Sequence, residues 1–184
     1  DRYSEHLIQM APDGEENQCV TIDWPETDVE WRDGIRGWKY GVVMPVGGYV
    51  FKKLTPVYSP LEHNFDPEKL ELPDPGDPLY LSRAEEIMDR NRDKYLVGLV
   101  WLTVFEKMHL ISGFNNVFIG TYLFVDKFLQ LRDKIMDFNL KSIKRWLDAG
   151  ADAIFMSDDW GSGDRLLISM DHWRNYYKPC YKEM

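Results

Sequence analysis

The sequence predicts an α/β protein built around a parallel β-sheet. Three features in the second half of the 184-residue chain predict this class. Lys94 to Trp101 is an almost uninterrupted apolar run with β-branched residues, which is typical of a strand buried on both faces of a parallel sheet. A long helical stripe of apolar residues follows it, and Ala153 to Met156 forms a second, short buried strand. A strand, a long helix and another strand make a βαβ unit, whose strands run parallel.

Glycines mark the predicted ends of the helices between these strands. Apolar residues recur at helical spacing from Val104 to Ile111, and Gly113 follows them as a stop. Gly150 caps a longer helix, and another helix is predicted from about Asp171 through Tyr181. The stripe of the longer helix has spacings of mostly three and four residues and consists of Phe124, Phe128, Leu131, Ile135, Phe138 and Trp146.

The first half of the chain is rich in proline and glycine, which predicts loops and short strands because these residues break helices and central strands. Tyr40 to Met44 and Tyr49 to Leu54 flank Val46-Gly47-Gly48, a spacing that predicts a hairpin with a glycine turn. Residues 1–93 are therefore interpreted as a proline-rich hairpin and loop region with a lead-in helix, and residues 94–184 as a βαβα segment.

The lead-in helix follows a rigid connector. Leu72 to Pro78 alternates prolines with acidic residues, which favours an extended chain. Ser82 then stands three residues before Glu85, the spacing of a capping box that opens a helix through about Arg90.

Charge and composition exclude several classes of protein. The chain has 22 Lys and Arg against 31 Asp and Glu, a net charge of −9, so we expect no nucleic-acid partner. The most apolar stretch, Tyr95 to Phe105, is far shorter than the ~20 residues that span a bilayer, so we expect no membrane partner. Cys19 and Cys180 lie far apart and form no zinc or disulfide pattern, which favours a reducing cytoplasm. No dinucleotide, Walker, serine-hydrolase or metalloprotease motif occurs in the sequence.

The loop after the second predicted strand carries the first candidate site residues, Ser157, Asp158, Asp159 and Trp160. Ligands of parallel α/β sheets bind outside the carboxyl ends of the strands, where this loop begins. Adjacent side chains cannot both face one point, so we expect one aspartate to point into a pocket while the other caps a turn or pairs with Arg165. The alternative is that both aspartates are turn and capping residues, because Asp favours turns in any case.

The second candidate group follows the first predicted strand and consists of Trp101, Thr103 and Glu106, with His109 one helical turn past Glu106. Glu106 and His109 are three residues apart, so they share a helix face and suit a paired acid and base or half of a metal site. The alternative is a half-buried, hydrogen-bonded histidine with no chemical role. The other histidines have no metal-ligand spacing, so no metal site is predicted within the chain: His6, His63 and His172.

Long segments of the second half of the chain resemble the sequences of a known protein family. In LDAGADAIFMSDDWGSGDRLLISMDHWRNYYKPCYKEM, a helix ending in Ala-Gly-Ala-Asp leads to a strand, an acidic glycine-containing loop, Leu-Leu-Ile-Ser and a helix with Lys-Pro-x-Tyr. This run resembles the uroporphyrinogen decarboxylase (URO-D) superfamily, which includes the decarboxylase of haem synthesis and methyltransferases acting on methyl-corrinoid or methylated substrates. KYLVGLVW with HLISGF is similar to the preceding family strand and helix, and LPDPGDP resembles the lead-in of the methyltransferase-like branch.

The resemblance implies a (β/α)8 TIM barrel. Such barrels take ~250 residues, so the chain is expected to be an incomplete barrel, about half of one, from a longer protein. The positions similar to the family pocket are Trp101 and His109 after one strand, and Ser157, Asp158 and Asp159 after the next. The arginine-containing signature of the decarboxylase is missing from this sequence, and the zinc ligands of the methyltransferases, His-x-Cys and a distant Cys, would lie beyond Met184.

The resemblance and the charge together favour a methyltransferase-like enzyme with zinc- and corrinoid-linked methyl transfer. Uroporphyrinogen carries many carboxylates, and an acidic pair at the mouth of the site would repel it. Asp158 and Asp159 are assigned as catalytic residues, and the substrate-binding residues are Trp101, Glu106, His109, Ser157 and Trp160. No cofactor is assigned to this chain, whereas zinc and a corrinoid are expected in the full-length protein. The expected partners are a small-molecule or tetrapyrrole substrate and a corrinoid protein. The alternatives are a uroporphyrinogen decarboxylase of porphyrin biosynthesis and a non-catalytic barrel fragment.

Overall fold

A computed structural model describes residues 19–22, 31–32, 35–37, 43–45, 61–72, 74–75, 85, 88–100 and 102–184. The described strands are β1 (Cys19–Ile22), β2 (Trp31–Arg32), β3 (Ile35–Gly37), β4 (Val43–Pro45), β5 (Tyr95–Val100), β6 (Ala153–Met156), β7 (Gly161–Ser162) and β8 (Arg165–Leu166). The α-helices are α1 (Phe105–Ser112), α2 (Phe114–Leu123), α3 (Val125–Asp148), α4 (Met170–His172) and α5 (Lys178–Glu183). A 3-10 turn spans Pro67–Lys69, and a π-helical turn, Trp173–Tyr177, joins α4 to α5.

The main sheet has three parallel strands in the order β1-β5-β6. In its register Cys19 lies opposite Tyr95, and Val97 lies opposite Ala153. The predicted parallel pairing around a long helix is confirmed. The four residues of β6 are only partly buried, less than the prediction of a buried strand, because β6 lies at the edge of the sheet within the described part of the chain.

A second small sheet contains β2, β3 and β4 in antiparallel order. Val43–Pro45 lies largely within the first strand of the predicted hairpin, and its described partner is Ile35–Gly37, which precedes it in the chain. The second predicted strand, Tyr49 to Leu54, lies outside the described residues.

The helix ends agree with the glycine signals. Gly113 has φ of 80° and follows α1, and Gly150 has φ of 97° and lies just beyond α3. Both values lie in the left-handed region that glycine adopts at little cost, so the predicted stops are confirmed. The sequence pattern does not predict α2. This helix buries only Val117 and Gly120, and its apolar residues are spread around the helix instead of forming a stripe.

The helices and the sheet enclose two clusters of buried apolar side chains. The larger lies between α1, α3 and the C-terminal helices and includes Phe105, Phe128 and Tyr177. The smaller joins the sheet to α3 through Leu96, Val100, Ile143 and Trp146, together with Met88. The large apolar side chains of these clusters supply the main free energy of folding.

At the sheet, Gly98 of β5 faces the indole of Trp146 so closely that an added Cβ would lie 2.6 Å from the Trp146 Cγ atom. The approach of α3 to β5 therefore depends on the missing side chain at this position.

Several sequence predictions concern features beyond the described elements. The described strands form two three-stranded sheets and one two-stranded ribbon without a closed barrel, and the incomplete TIM barrel stays a prediction. Glu85 and residues 88–90 are helical, within the predicted lead-in helix, whereas Ser82 lies outside the described residues. The division at residue 93 also stays a prediction. Within the described part of the chain, every helix is too short or too polar to cross a membrane.

Candidate functional site

The carboxyl ends of β5 and β6 meet at one edge of the parallel sheet. The backbone N–H of Thr103, just after β5, donates to the carbonyl oxygen of Ser157, just after β6, at 3.0 Å. The Thr103 hydroxyl oxygen lies 3.2 Å from the same carbonyl oxygen. Between β5 and α1, Leu102 has φ of 53°, an unusual backbone conformation for a bulky side chain. The two loops are thus tied together through a tightly turned segment.

Asp158 caps the N-terminus of α1 from the loop after β6. Its carboxylate accepts hydrogen bonds from three successive backbone N–H groups and from two hydroxyls. One oxygen, Oδ2, accepts from Thr103 Oγ1 (3.0 Å), Val104 N (2.9 Å), Phe105 N (2.8 Å) and the Tyr181 hydroxyl, and Oδ1 accepts from Glu106 N (2.7 Å). The helix has no side-chain cap of its own, so this carboxylate satisfies donors that would otherwise be unpaired.

Asp159 points away from this cap. Its side chain is exposed, and Oδ1 accepts the backbone N–H of Gly161 at 3.0 Å, which closes a local turn. Arg165 forms an ion pair with Asp164 at 3.0 Å rather than with Asp159. Both members of the acidic pair thus make capping or turn contacts, and the catalytic role assigned to them stays a prediction.

Glu106 lies in the first turn of α1, half-buried beside both aspartates. The backbone N–H of Asp159 donates to its carboxylate, while its own backbone N–H is held by Asp158. Burial raises the pKa of Glu106 to about 7, and the negative charges of Asp158 and Asp159 act in the same direction. A carboxyl group with this pKa can give up or take a proton near neutral pH.

His109 lies one turn further along α1 and is 7% exposed. Its ring stacks on Phe114 with 4.0 Å between centroids and meets Phe105 edge to face at 5.3 Å. Burial lowers the pKa of His109 to about 4, although Asp158 and Asp159 oppose this shift, so the ring is neutral at pH 7. Among the described residues, its buried Nδ1 atom has no hydrogen-bond partner.

Trp160 belongs to an aromatic cluster behind the acidic loop. Its ring stacks on Phe105 at 4.5 Å and an interplanar angle of 22°, and it meets Tyr177 edge to face at 4.7 Å. Burial raises the pKa of the Tyr177 hydroxyl well above its usual range, so that hydroxyl stays protonated. Trp160 therefore packs the loop against α1 and the C-terminal helix.

A second polar contact fixes Thr103 from the side of α3. Asn139 is fully buried and donates to the Thr103 carbonyl oxygen at 2.9 Å. Lys107 is 3% exposed, donates to Asn139 Oδ1 at 2.7 Å, and lies over the ring of Phe138 at 4.6 Å. This buried pair joins α1 to α3 next to the loop contacts.

The structure brings some of the predicted site residues together and separates others. Direct hydrogen bonds connect Glu106, Asp158 and Asp159, and the Ser157 carbonyl oxygen contacts the same turn. His109 interacts with the two aspartates only through charge. Trp160 reaches the group through Phe105, and Trp101 lies outside the described residues.

Sequence reasoning missed Tyr181, whose hydroxyl donates to Asp158, and gave no partner for Thr103, whose hydroxyl donates to the same carboxylate. Burial and the nearby Asp158 charge raise the pKa of Tyr181 far above its usual range, so it remains a hydrogen-bond donor. The only available signal for Tyr181 was its place in the Lys-Pro-x-Tyr run, which gives no indication of its partner.

The described residues also form a groove away from this site, and they do not form a metal site. A groove of about 870 Å³ runs between α3 and four residues that precede it in the chain, Leu70, Leu72, Asp74 and Pro75, and Asp158 does not line it. In the described ranges, no three His, Cys, Asp or Glu side chains come close enough together to hold a metal ion.

Comparison with known proteins found no protein-family model and no curated protein sequence that matches the chain. The chemistry of this edge of the sheet therefore has to be inferred from its own residues.

Proposed function

We propose that the chain belongs to an enzyme of the URO-D superfamily, in its methyltransferase-like branch, and takes part in zinc- and corrinoid-linked methyl transfer. The observation that carries this proposal is the bonding of the acidic loop after β6 to the helix after β5, at the carboxyl edge of a parallel sheet. Barrel enzymes carry their active sites at this edge. The resemblance of residues 147–184 to the family supports the same assignment.

The proposed architecture is an incomplete (β/α)8 barrel of which β1, β5 and β6 form one part. Three parallel strands in one sheet, with α1, α2 and α3 between two neighbours, are compatible with a sector of such a barrel. A solved structure of the full-length protein would test this directly, because an open sheet with a different strand order would contradict it.

The charges of the site favour methyl transfer over decarboxylation of a porphyrinogen. Glu106, Asp158 and Asp159 concentrate acidic groups, and the groups that donate to Asp158 are uncharged hydroxyls and backbone N–H groups. Arg165 pairs with Asp164 instead of offering its charge to the loop. A substrate with many carboxylates would meet repulsion here, whereas a small methylated substrate would not.

The described residues do not by themselves provide a zinc site. Zinc would polarise or bind a thiol or similar group of the substrate when present. This part of the chain would contribute a proton-carrying carboxyl at Glu106 and a rigid edge fixed by Asp158.

The test uses the full-length protein with chemically reduced cob(I)alamin and, in turn, methylated amines, alcohols and thiols, together with a measurement of bound zinc. Methyl transfer by a zinc-containing protein is the expected result. Release of carbon dioxide from uroporphyrinogen would establish the decarboxylase instead, and absence of both reactions would leave a non-catalytic barrel protein.

The assigned site is tested in the same assay with Asp158→Asn and Asp159→Asn. Asp164→Asn is the matched control, because its exposed carboxyl forms an ion pair with the neighbouring Arg165. If the first two substitutions change folding stability and leave turnover intact, both aspartates are structural.

A further inference from the structure

We propose that Glu106 is the residue that transfers the proton in this reaction, and that Asp158 and Tyr181 position it without reacting themselves. This inference rests on the proposed function and gives one residue of the site a defined chemical role.

Asp158 has little capacity left for chemistry. Its two oxygens already accept five hydrogen bonds, three from backbone N–H groups and two from hydroxyls. Four of the five donors bind Oδ2, so a substrate could reach that oxygen only by displacing donors at the start of α1. Such a carboxylate is well suited to hold backbone in place and poorly suited to exchange a proton.

The carboxyl group of Glu106, unlike that of Asp158, accepts few hydrogen bonds from the described part of the protein. Among the described residues, its carboxyl group accepts one hydrogen bond, from the backbone N–H of Asp159. A carboxylate has about four lone-pair sites, so lone pairs remain for a substrate. It is half-buried on the same helix face as His109, at the carboxyl edge of the sheet. Its backbone is fixed by the 2.7 Å bond to Asp158 Oδ1, so the side chain starts from a defined position.

The charged and titratable groups around Glu106 favour its acid form. From the loop after β6, Asp158 and Asp159 bring negative charge, and from α5 the neutral hydroxyl of Tyr181 bonds to Asp158. On its own helix, His109 is neutral at pH 7. Burial and these charges raise the pKa of Glu106 to about 7, so a large fraction of the carboxyl groups carry a proton at neutral pH.

The proposed step is protonation of the leaving group. When the bond between the methyl carbon and the substrate's oxygen, nitrogen or sulfur breaks, that heteroatom keeps the electron pair and takes the proton of Glu106. The methyl carbon would take its new electron pair from the methyl acceptor, a corrinoid that has to be supplied in its reduced, nucleophilic Co(I) form. Glu106 is left as a carboxylate, and water returns the proton after the product leaves.

Tyr181 acts through Asp158. Its hydroxyl donates to the same oxygen that holds the first turn of α1, so it fixes the cap and withdraws part of the Asp158 charge from Glu106. Removal of this hydroxyl should increase the repulsion felt by Glu106 and move its titration to higher pH. Removal of the Asp158 charge should move it to lower pH.

The experiment measures methyl transfer by the full-length protein across pH, with chemically reduced cob(I)alamin as acceptor, and carbon-13 NMR titration of the glutamate side chains in the same protein. We expect turnover to fall as the pH rises above about 7, and Glu106→Gln to lower kcat about 100-fold or more while KM changes little. Glu106→Asp should retain part of the activity. Glu183→Gln is the control, since this glutamate is exposed on α5.

Asp158→Asn and Tyr181→Phe test the positioning roles. The first should move both the pH profile and the Glu106 titration to lower pH, and the second should move both to higher pH. Asp158→Asn also weakens the cap of α1, so a change in this variant alone could come from lost stability. Tyr181→Phe keeps the Asp158 carboxylate and removes only one hydroxyl that donates to it. A structural role alone would change stability and leave the titration of Glu106 in place.

The outcomes separate the two proposals. If the wild type transfers methyl groups and Glu106→Gln is equally active at every pH, the role of Glu106 is overturned and the proposed function stands. If the wild type shows no methyl transfer, the proposed function fails. The NMR titration then tests whether Asp158 and Tyr181 position Glu106. The positioning roles are supported if Glu106 titrates near neutral pH and its titration shifts in the expected direction in both Asp158→Asn and Tyr181→Phe. They are overturned if Glu106 titrates at the ordinary value of a glutamate.

Discussion

The carboxylate of Asp158 accepts a 2.7 Å hydrogen bond from the backbone N–H of Glu106, a residue 52 positions earlier in the chain. This bond joins the loop after β6 to the first turn of α1, which follows the neighbouring strand β5. Since α1 has no side-chain cap from its own preceding residues, the loop of one strand completes the helix of another. The edge of the sheet is therefore a single hydrogen-bonded unit.

Replacement of Asp158 by alanine should destabilise the protein. The substitution leaves the first N–H groups of α1 without their acceptor, and buried unpaired donors cost about 1–3 kcal/mol. Asp158→Asn should cost less, because its amide oxygen can still accept from some of these donors. Urea unfolding of the full-length protein measures the change in the free energy of unfolding, with Asp164→Ala as an exposed control. Equal stability of Asp158→Ala and the control would contradict the capping role.

Glu106 should make the folded protein less stable as the pH rises from 4.5 to about 7. Its pKa is raised from 4.5 to about 7 by burial and by the two aspartates, so the folded state binds more protons than the unfolded state in this window. The free energy of unfolding therefore falls through the window, by on the order of 2 kcal/mol after allowance for solvent screening. Glu106→Gln should remove this loss, as measured by urea unfolding at several pH values.

The Glu106 experiment has an internal comparison. Below the unfolded pKa both wild type and Glu106→Gln carry a neutral side chain, so their stabilities should agree there and separate only at higher pH. A constant difference at all pH values would mean that the substitution changes packing, and that the ionised carboxylate is not disfavoured in the folded state.

His109 should give the opposite dependence on pH. Burial lowers its pKa from 6.5 to about 4, so the unfolded state binds more protons between these values and stability rises with pH. His109→Phe keeps an aromatic ring beside Phe114 and removes the group that titrates. We expect the variant to exceed the wild type by on the order of 2 kcal/mol at about pH 5, and to differ little at about pH 8.

The His109 measurement is thermal or urea unfolding at both pH values, with the exposed His63→Phe as control. If His109→Phe loses stability at acid pH as well as at neutral pH, the ring makes a polar contact that phenylalanine cannot replace.

The local pattern of the sequence predicts α1 and α3 well, because their apolar stripes and the glycines after them depend on residues close together in the chain. It also predicts β5 and β6 and their parallel pairing. The helix α2 is missed, since its apolar residues surround the whole helix and leave Tyr122 and Leu123 exposed, so no stripe exists to detect.

The candidate site was predictable in position and less so in contacts. A loop that follows a parallel strand begins at the carboxyl edge of the sheet, and the structure has Ser157 and Asp158 beside the start of α1. The five donors to Asp158 come from two helices and a loop that are 23 to 55 residues away, and no spacing rule connects them. The raised pKa of Glu106 follows from these contacts and from burial, neither of which is visible in the sequence.

Gly98→Ala tests the close packing of the sheet against α3. An alanine Cβ at this position would lie 2.6 Å from the Trp146 Cγ atom, closer than real contacts allow, and Trp146 is fully buried and cannot move aside freely. The strand or the helix must shift, and overpacking of this kind costs about 1–3 kcal/mol. The matched control is Gly161→Ala, where the nearest side-chain atom, Asp159 Oδ1, lies 3.7 Å from the new Cβ. Urea unfolding should show a clear loss for Gly98→Ala and almost none for the control, and equal stabilities would mean that β5 and α3 pack less tightly than these distances require.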